Sequence, residues 1–470
     1  MKFMGPLAIG VIVMFLGVAK AKYIGDPRCP YPMVPEHLEL NIYNESIYQH
    51  MRELNRITLR APQGHRLAGS VGANETIKYI WNQLIGAGYQ LMRLPYSFKI
   101  QVAGGAEFSV GNEVIDATQI MWSPDANYTN VVIVPIKNSG CSEEDYPRTV
   151  SGKVVLVSSE GCLISAKSRV AKEAGAIALV VYESTELMPS LGGEKSTFIP
   201  SIKIPLYKGL ELANATNVEL RGNITSWKEL ETVYSANIIA TWECFTDKKE
   251  ERTLMLGAHS DSVRGSPGMN DDGSGVAALL EIALQLSKHM TVGRVRFAFW
   301  TAEESGQLGA RAWIDSSASK ELDKIQLYLD TSMIASPNGF IQLWGGINPL
   351  TGLSGPEGSD AARDAFGEWF KINRIPYRHA NFSGRSSYQP FLEAGVPCAG
   401  IFTGANGLKT AWEVENSGGA VNEPYDPNYH SAADTLQNIN STLLYRNTVA
   451  MSHIVAAYAR NPDYGNSPHH

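Results

Sequence analysis

Three segments between residues 253 and 300 decide the fold: Thr253-Leu-Met-Leu-Gly257, Val276-Ala-Ala-Leu-Leu-Glu-Ile-Ala-Leu-Gln-Leu286 and Arg294-Val-Arg-Phe-Ala-Phe-Trp300. The first and third are short apolar runs that predict strands, and the second is an almost wholly apolar run that predicts a buried helix. A strand, a helix and a further strand in succession form the unit from which parallel sheets are built. We therefore expect an α/β fold with a mixed, mostly parallel central sheet and helices on both faces.

The same alternation extends outward from this unit. Leu327–Asp330 predicts another strand, residues 36–62 and 73–86 carry helical periodicity, and Ser441–Arg460 predicts a closing helix. Functional groups of such sheets gather at the carboxyl ends of the strands. Polar candidates should therefore be sought just after residues 257, 300 and 330.

A second strand–helix–strand unit interrupts the main one. Val132–Ile136, Lys153–Val157 and Gly175–Tyr182 predict strands, and a helix is expected near residues 164–174. This unit holds none of the candidate ligands, so we assign it to an inserted α+β domain. The predicted organisation is a main domain over residues 22–105 and 235–460, an inserted domain over 106–234 and a disordered polar tail over 461–470.

Length and charge limit the possible domain organisation and binding partners. A chain of 470 residues has room for more than one domain, or for one domain with a large insertion. The formal net charge is −7 at pH 7, and no basic block occurs, so nucleic acid is not an expected partner. Nothing in the composition predicts an oligomeric state.

The N-terminus has the form of a secretory signal peptide. Lys2 precedes an uncharged apolar run from Phe3 to Val18, and Ala19-Lys-Ala21 supplies small residues at the spacing of a cleavage site. An uncleaved anchor is the alternative, but this run is shorter than the roughly 20 residues that cross a bilayer. We predict a signal peptide over residues 1–21, no stable membrane anchor after cleavage, and a chain that is secreted or held in the lumen of the secretory or vacuolar pathway.

Cysteines and sequons fit that route. Five cysteines allow two disulfides in an oxidising compartment. Cys141 with Cys162 is the first expected pair, because both lie in one compact segment, and Cys29 with Cys244 follows by elimination. Cys398 lies in an apolar run and is expected to be a buried, inert thiol. Seven asparagines head glycosylation sequons: Asn44, Asn74, Asn127, Asn214, Asn223, Asn381 and Asn440.

The segment Gly257-Ala-His-Ser-Asp-Ser-Val263 begins the candidate site. A lone His at a strand end is usually structural, but the acidic motifs that follow favour a metal-binding role for His259. Asp261 could accept the other ring N–H and fix the tautomer, which is the role of an outer-shell partner.

Two acidic pairs follow His259. Asp271 and Asp272 open a Gly-rich turn before a buried helix, where one Asp alone would serve as a cap. We assign Asp271 as a carboxylate that bridges two cations, and Asp272 as its support. Glu303 and Glu304 follow a strand of buried character, unlike a chance surface pair. Glu304 is expected to bind metal, and Glu303 to take the proton from a metal-activated water.

The segment Asp426-Pro-Asn-Tyr-His430 supplies the remaining candidates. His430 would complete the shell of a second metal, and the phenol of Tyr429 could donate to the oxyanion of a tetrahedral intermediate. Arg385 could steady the substrate carbonyl or a loop, although an ordinary surface arginine is nearly as good an interpretation.

These motifs together resemble the secreted zinc aminopeptidases of the aminopeptidase Y kind, whose catalytic domain is like that of bacterial leucyl aminopeptidases and carries an inserted protease-associated domain. His65-Arg-Leu-Ala-Gly-Ser-Val-Gly72 and residues 106–234 extend the resemblance over nearly the whole mature chain. The resemblance implies two Zn²⁺ ions, a bridging Asp271 and Glu303 as general base. It implies these zinc ligands: His259, Asp271, Glu304 and His430.

The chain departs from the pattern of that family near the first metal. The family has Asn-Phe-Asp where this chain has Asp330-Thr-Ser332, so Ser332 occupies a ligand position that it fills poorly. Asp330 would share a face with Ser332 if the strand continues, and is a candidate replacement. This chain also differs from the family pattern at four further positions: Ser387, Asn406, Asn428 and Ala433.

The leading interpretation is a metallo-aminopeptidase that removes N-terminal residues from peptides. A carboxypeptidase or dipeptidase is a nearer alternative, but it requires a basic pocket that the sequence does not locate. A catalytically impaired or inactive binding protein would explain Ser332 directly, yet it leaves the other ligands unexplained. An enzyme with one ion, bound at the second site, is a third possibility.

Overall fold

The computed structural model describes residues 29–183, 190–192, 196–215, 218–244, 251–347, 352 and 354–464, and of residues 317–320 only the backbone. The predicted signal peptide lies outside the described residues, as do residues 465–470 of the predicted tail. Residues 461–464 form a turn in which Tyr464 packs edge-on against Tyr458.

Sixteen strands are described. They are β1 (Tyr31–Pro32), β2 (Gln90–Val110), β3 (Glu113–Ile115), β4 (Thr118–Gln119), β5 (Ala126–Pro135), β6 (Val154–Ser158), β7 (Ala178–Glu183), β8 (Ser201–Pro205), β9 (Leu220–Trp242), β10 (Thr253–His259), β11 (His289–Met290), β12 (Arg294–Trp300), β13 (Ile325–Thr331), β14 (Gln342–Gly345), β15 (Arg378–Asn381) and β16 (Cys398–Phe402).

Eleven α-helices accompany these strands in the described parts of the chain. They are α1 (Pro35–Leu40), α2 (Asn44–Arg60), α3 (Val71–Gly86), α4 (Ile164–Glu173), α5 (Leu206–Ala213), α6 (Gly275–Leu286), α7 (Leu308–Asp315), α8 (Ser359–Ile372), α9 (Tyr388–Glu393), α10 (Ala411–Ser417) and α11 (Ser441–Arg460). None of the described helices combines the length and the apolarity that a membrane span requires.

The main domain is built on the order β15-β14-β16-β13-β10-β12-β9. Strands β12, β10, β13 and β16 run parallel, β14 and β15 are parallel to each other, and β14 and β9 are antiparallel to their neighbours β16 and β12. Helix α6 is buried over most of its length, as its apolar sequence predicts, and contacts β10, β13, α2, α3 and α11. The predicted α/β fold with a mixed sheet is confirmed.

The inserted unit continues the same sheet. Strands β5 to β8 are parallel, and β5 pairs with the first half of β9. Strand β2 pairs antiparallel with β9 from Gln90–Thr241 to Val110–Gly222. The expected domain boundaries at 105/106 and 234/235 therefore fall inside two continuous strands, which act as a shared two-stranded arm between the main and inserted units.

One helix predicted from periodicity is two helices. The predicted stretch 36–62 breaks at Asn41, whose side-chain amide donates to the carbonyl of His37 at 2.7 Å and so caps α1. An Asn side chain offers the backbone an alternative to continuing the helix. Periodicity alone does not detect such a local cap.

Parallel register aligns the ends of three strands that carry the candidate residues. His259 is the last residue of β10 and pairs with Trp300 of β12, and Gly257 pairs with Asp330 of β13. Glu303 follows β12 by three residues, and Ser332 directly follows β13. The candidate residues therefore meet at one edge of the sheet, as expected for parallel strands.

Gly257 tests how tightly this edge is packed. A Cβ at this position would collide with the Tyr328 hydroxyl and the Trp300 indole N–H, so Gly257→Ala should destabilise the main domain by about 1–3 kcal/mol through overpacking. Gly86→Ala is the matched control, because nothing lies within 4 Å of its Cβ and Ala is the better helix former. We expect a lower midpoint of thermal unfolding for the first variant alone. Equal midpoints would show that the edge is not close-packed.

Candidate active site and metal centre

Four chain segments meet at this edge. His259 ends β10, Asp271 lies in the turn over Met269–Ser274 that leads into α6 and has non-helical backbone angles there, and Glu303 and Glu304 follow β12. His430 comes from the loop between α10 and α11 and has a positive φ of 58°. Residues separated by up to 171 positions in the sequence thus share one pocket.

The carboxylate of Asp271 lies between two imidazoles. Its Oδ1 is 3.1 Å from Nε2 of His259, and its Oδ2 is 3.2 Å from Nε2 of His430. Nε2 of His430 is also 3.1 Å from Oε2 of Glu304. One oxygen therefore faces each side of the site, which is the arrangement that a bridging carboxylate requires.

The electrostatics of Asp271 follow from this contact. Burial acts to raise its pKa, but the hydrogen bonds with His259 and His430 outweigh burial and hold the pKa below its usual range. The group is therefore anionic at neutral pH, as a bridging ligand must be.

The ring of His259 lies against Asp261 through its other nitrogen, Nδ1. Its Nδ1 lies 3.2 Å from the backbone carbonyl of Asp261 and 3.6 Å from the carboxylate. That carboxylate instead accepts from the backbone N–H groups of Glu303 and Glu304, at 3.2 and 3.4 Å. Asp261 thus fixes the positions of three candidate residues through both its backbone and its side chain.

Asp272 supports the site from the opposite side. Its carboxylate accepts from the backbone N–H groups of His259, Gly275 and Met333 at 3.1, 2.9 and 3.1 Å. These three donors belong to the end of β10, the start of α6 and the chain after β13. Asp272 therefore binds three segments together, which agrees with the supporting role expected of it.

A further acidic support was not predicted from the sequence: Asp426 is the first residue of the quoted His430 motif, and Asp434 follows His430 by four residues. Asp434 accepts from the backbone N–H of Asn270 at 2.7 Å and of Asp271 at 3.1 Å, and Asp426 accepts from the side chain of Asn270 at 2.6 Å. The loop that presents His430 is thereby attached to the turn that presents Asp271. An Asp four residues after a candidate ligand was the only available signal.

Arg66 is a second missed residue. Its guanidinium is fully buried and donates to the carbonyls of Ser260, Pro267 and Gly268. Burial lowers the pKa of Arg66, while Asp434 and Asp261 act to raise it. The buried cation therefore shapes the 260–268 loop and offsets part of the acidic charge around it, and its place in the His65–Gly72 motif gave no hint of this contact.

Glu303 and Glu304 have different neighbours. Glu304 contacts His430, and its Oε1 is buried without a hydrogen-bond partner in the described structure. Glu303 lies 3.9 Å from Nε2 of His259, and Gln307 donates to its other oxygen at 3.3 Å. Burial raises the pKa of Glu303 to about 8, and Glu304 adds to the rise while His259 opposes it.

Tyr429 and Arg385 meet at the mouth of the site. The Tyr429 ring stacks on His430 with centroids 3.7 Å apart, and its hydroxyl accepts from Arg385 at 3.2 Å. Burial raises the pKa of Tyr429 further above its usual value, with Asp271 and Glu304 adding to the effect. The phenol therefore stays protonated and can donate a hydrogen bond.

Ser332 and Asp330 occupy different environments. Ser332 lines the site cavity, whereas Asp330 does not: its carboxylate accepts from Ser386 at 2.6 Å and is buried beside β16. Burial raises the pKa of Asp330 to about 7 despite that hydrogen bond. Ser387, another position at which the chain departs from the family pattern, is also buried, and its hydroxyl has no partner in the described structure.

The candidate residues open into a cavity of about 320 Å³. One end carries His259, Asp271, Glu303, Glu304 and Tyr429. The other is formed by side chains of β14, β15 and β16 and by residues 404–407. The cavity is large enough for a side chain next to the reacting bond.

The chemistry of these residues fits a divalent metal. His259, Asp271 and Glu304 offer ligand atoms within 4.8 Å of one another. Imidazole nitrogen and carboxylate oxygen are the ligands of catalytic zinc. Buried carboxylates in mutual contact also need a positive charge, and the unpartnered Oε1 of Glu304 is free to accept one.

Other predicted positions lie away from this site. The structure joins Cys141 to Cys162 and Cys29 to Cys244, with Cα separations of 5.9 and 6.5 Å, and Cys398 is buried as a thiol. Six sequon asparagines are exposed, whereas Asn440 is half-buried and caps α11 through Leu443 N–H at 3.1 Å. The exposed six are Asn44, Asn74, Asn127, Asn214, Asn223 and Asn381.

Comparison with known proteins agrees with this geometry. The profile of Peptidase family M28 matches residues 237–455, and that of the PA domain matches residues 128–212. Leucine aminopeptidase 2 of Trichophyton equinum is 34% identical over 463 residues, which cover 97% of this chain and 92% of that protein. Probable leucine aminopeptidase 2 of Aspergillus fumigatus is 34% identical over 91% of this chain and 86% of its own.

Solved structures share the fold. An aminopeptidase from Aneurinibacillus sp. strain AM-1 has a TM-score of 0.69 at 23% identity, over 91% of this chain and 96% of that one. A zinc aminopeptidase from Bacillus subtilis has a TM-score of 0.61 at 20% identity, over 90% and 96%. The family expected from the motifs is confirmed: the chain belongs to peptidase family M28 and carries a PA domain.

Proposed function

We propose that the protein is a metallo-aminopeptidase that hydrolyses the first peptide bond of peptides with a free N-terminus. The observation that carries the proposal is Asp271, whose two carboxylate oxygens face His259 and His430 at 3.1 and 3.2 Å. The leucine aminopeptidase 2 relatives support the same activity.

Zinc is the proposed metal, with two unequal sites. The second site would be formed by His430, Glu304 and Asp271. The first would be formed by His259 and Asp271, with only the hydroxyl of Ser332 at the third position. When bound, zinc supplies a Lewis acid that lowers the pKa of water and polarises a carbonyl.

Glu303 and Tyr429 would perform the remaining steps. Glu303 accepts a proton from the attacking water and returns it to the leaving amine, and its position beside His259 suits this transfer. A bound cation would lower its raised pKa, because nearby positive charge favours the carboxylate. The protonated phenol of Tyr429 donates to the developing oxyanion, and Arg385 holds that phenol in place.

The second candidate function is peptide binding without catalysis. The presence of Ser332 at a metal-ligand position of the family favours it. A hydroxyl in place of a carboxylate removes one negative charge from the first site. Asp330 does not line the cavity and its Oδ2 accepts from Ser386, which argues against its replacing the lost ligand, although its Oδ1 has no hydrogen-bond partner in the described structure. The protein would then bind peptides without turnover.

A carboxypeptidase would need a cation that is available to the substrate carboxylate. Two arginines line the cavity: Arg378 is paired with Glu413 at 2.7 Å, and Arg385 donates to Tyr429. Neither is placed as an unengaged anchor, which favours the aminopeptidase.

We further propose that the chain acts in the secretory or vacuolar pathway or outside the cell. The two disulfides support this location, because disulfides persist in oxidising compartments. The exposed sequon asparagines are accessible to glycosylation there.

Glu303→Gln separates chemistry from metal binding. The amide cannot take a proton, so kcat on aminoacyl p-nitroanilides should fall about 10²–10⁴-fold, while zinc content stays that of the wild type. Glu304→Gln is the matched control and should instead lower zinc content. An unchanged kcat for Glu303→Gln, or activity of the wild type on N-blocked dipeptides alone, would refute the assignment.

Ser332→Asp tests the weakened first site. A restored carboxylate should tighten binding of the weaker zinc ion at least about tenfold, the lower end of what even outer-shell partners contribute. Ser332→Asn has the same shape without the charge and should change little. Zinc affinity is measured by titration against a chelating dye, and Asp330→Asn should leave it unchanged. If Asp330→Asn weakens zinc binding instead, Asp330 is the substitute ligand.

A further inference from the structure

The part of the cavity away from the metal ligands is built from one face of three strands. Gln342 and Trp344 alternate along β14 and so share a face, while Leu343 between them lies in the core. Gln342 pairs with Arg378 of β15 and with Phe402 of β16. All four line the same cavity as His259 and Glu303.

The polar groups on this face are donors. The Oε1 of Gln342 accepts from Nη2 of Arg378 at 2.7 Å, and an arginine can only donate, so the orientation of the amide is fixed. Nε2 of Gln342 is then left without an acceptor, as is Nε1 of Trp344. Gln342 is 4% exposed and Trp344 is 5% exposed. Buried donors without acceptors are costly and call for an explanation.

The charge on this face is already balanced. Nε of Arg378 donates to Glu413 at 2.7 Å, and the Glu413 side chain is 1% exposed. Glu413 also accepts from Tyr425 and from Thr410, which hold it as a carboxylate. A ligand group here would therefore meet N–H donors without meeting a net positive charge.

We propose that this face selects substrates whose N-terminal side chain ends in a carboxamide, glutamine or asparagine, through hydrogen bonds from Gln342 and Trp344 to its carbonyl oxygen. The inference rests on the proposed aminopeptidase function and adds the substrate class. An apolar side chain of equal size leaves the donors unpaired. A substrate side chain that ends in a carboxylate is repelled by the negative charge of Glu413. A lysine or arginine side chain places its own N–H donors against the N–H donors of this face.

Isosteric substrates test this selectivity. The kcat/KM of the zinc-loaded protein is measured on aminoacyl p-nitroanilides of Gln, Met and Glu, and of Asn, Leu and Asp. We expect the carboxamide in at least one set to exceed both isosteres about tenfold or more, because a site built to bond a polar group discriminates against analogues that lack it. Equal or greater kcat/KM for Met and Leu overturns the inference, and greater values for Glu and Asp overturn its charge argument.

Two variants assign the selectivity to Gln342. Gln342→Glu keeps an acceptor for Arg378 but removes the N–H donors, and Gln342→Met removes the amide at equal length. Both should reduce the preference for carboxamide over apolar substrates to about threefold or less. Gln389→Met makes the same change outside the cavity, where the amide donates to Glu393 at 3.0 Å, and should keep the full preference. A preference that survives both Gln342 variants overturns the role of this residue.

A binding measurement separates the two proposals. If no aminoacyl substrate is hydrolysed, the proposed function fails, and selectivity is then read from calorimetric titration of the zinc-loaded protein with glutamine amide and methionine amide. Tighter binding of glutamine amide, lost in Gln342→Glu, supports the inference without catalysis. Equal affinities overturn it.

Discussion

The position of Asp271 is the constraint on which the rest of the site depends. Its carboxylate must lie within hydrogen-bond distance of two imidazoles that are 171 positions apart in the sequence. A buried carboxylate is expensive unless it is compensated by positive charge or by hydrogen bonds. Here the compensation comes from the two imidazoles and from the cation that the donor set is suited to hold. Asp434 instead fixes the position of the turn by accepting from the backbone N–H of Asp271.

Most of the supporting hydrogen bonds are donated by backbone N–H groups to carboxylates. Asp261 holds the turn of Glu303, Asp272 joins β10 to α6, and Asp434 joins the loop of His430 to the turn of Asp271. Such bonds fix the backbone from which the ligands project. None of these bonds uses the side chain of Ser332, so the proposed weakening of the first metal site leaves the positions of His259, Asp271, Glu304 and His430 unchanged.

The fold could be predicted from residues 253–300 because the two short apolar runs in this region indicate strands and the longer apolar run indicates a buried helix. The meeting of His259, Asp271 and Glu303 was also predictable, since parallel strands bring their carboxyl ends to one edge. Arg66 and Asp434 were not, because a bond from a side chain to a distant backbone group leaves no periodic trace. For the same reason the sequence did not predict two contacts of Asp261. Its backbone carbonyl contacts the imidazole of His259, and its carboxylate accepts from the backbone N–H of Glu303.

The substrate face escaped prediction for a different reason. Gln342 and Arg378 are 36 residues apart, and they meet only through the register of β14 with the edge strand β15, which short segments do not specify. Their effect depends on direction as well as proximity: because Arg378 has no acceptor, the amide of Gln342 must turn its N–H groups away from the arginine. Chemistry at the reacting end of the cavity comes from strand ends, where motifs are visible in the sequence. Selectivity at the other end comes from strand faces and pairing, so two members of one family can share every ligand motif and still differ in the side chain they accept.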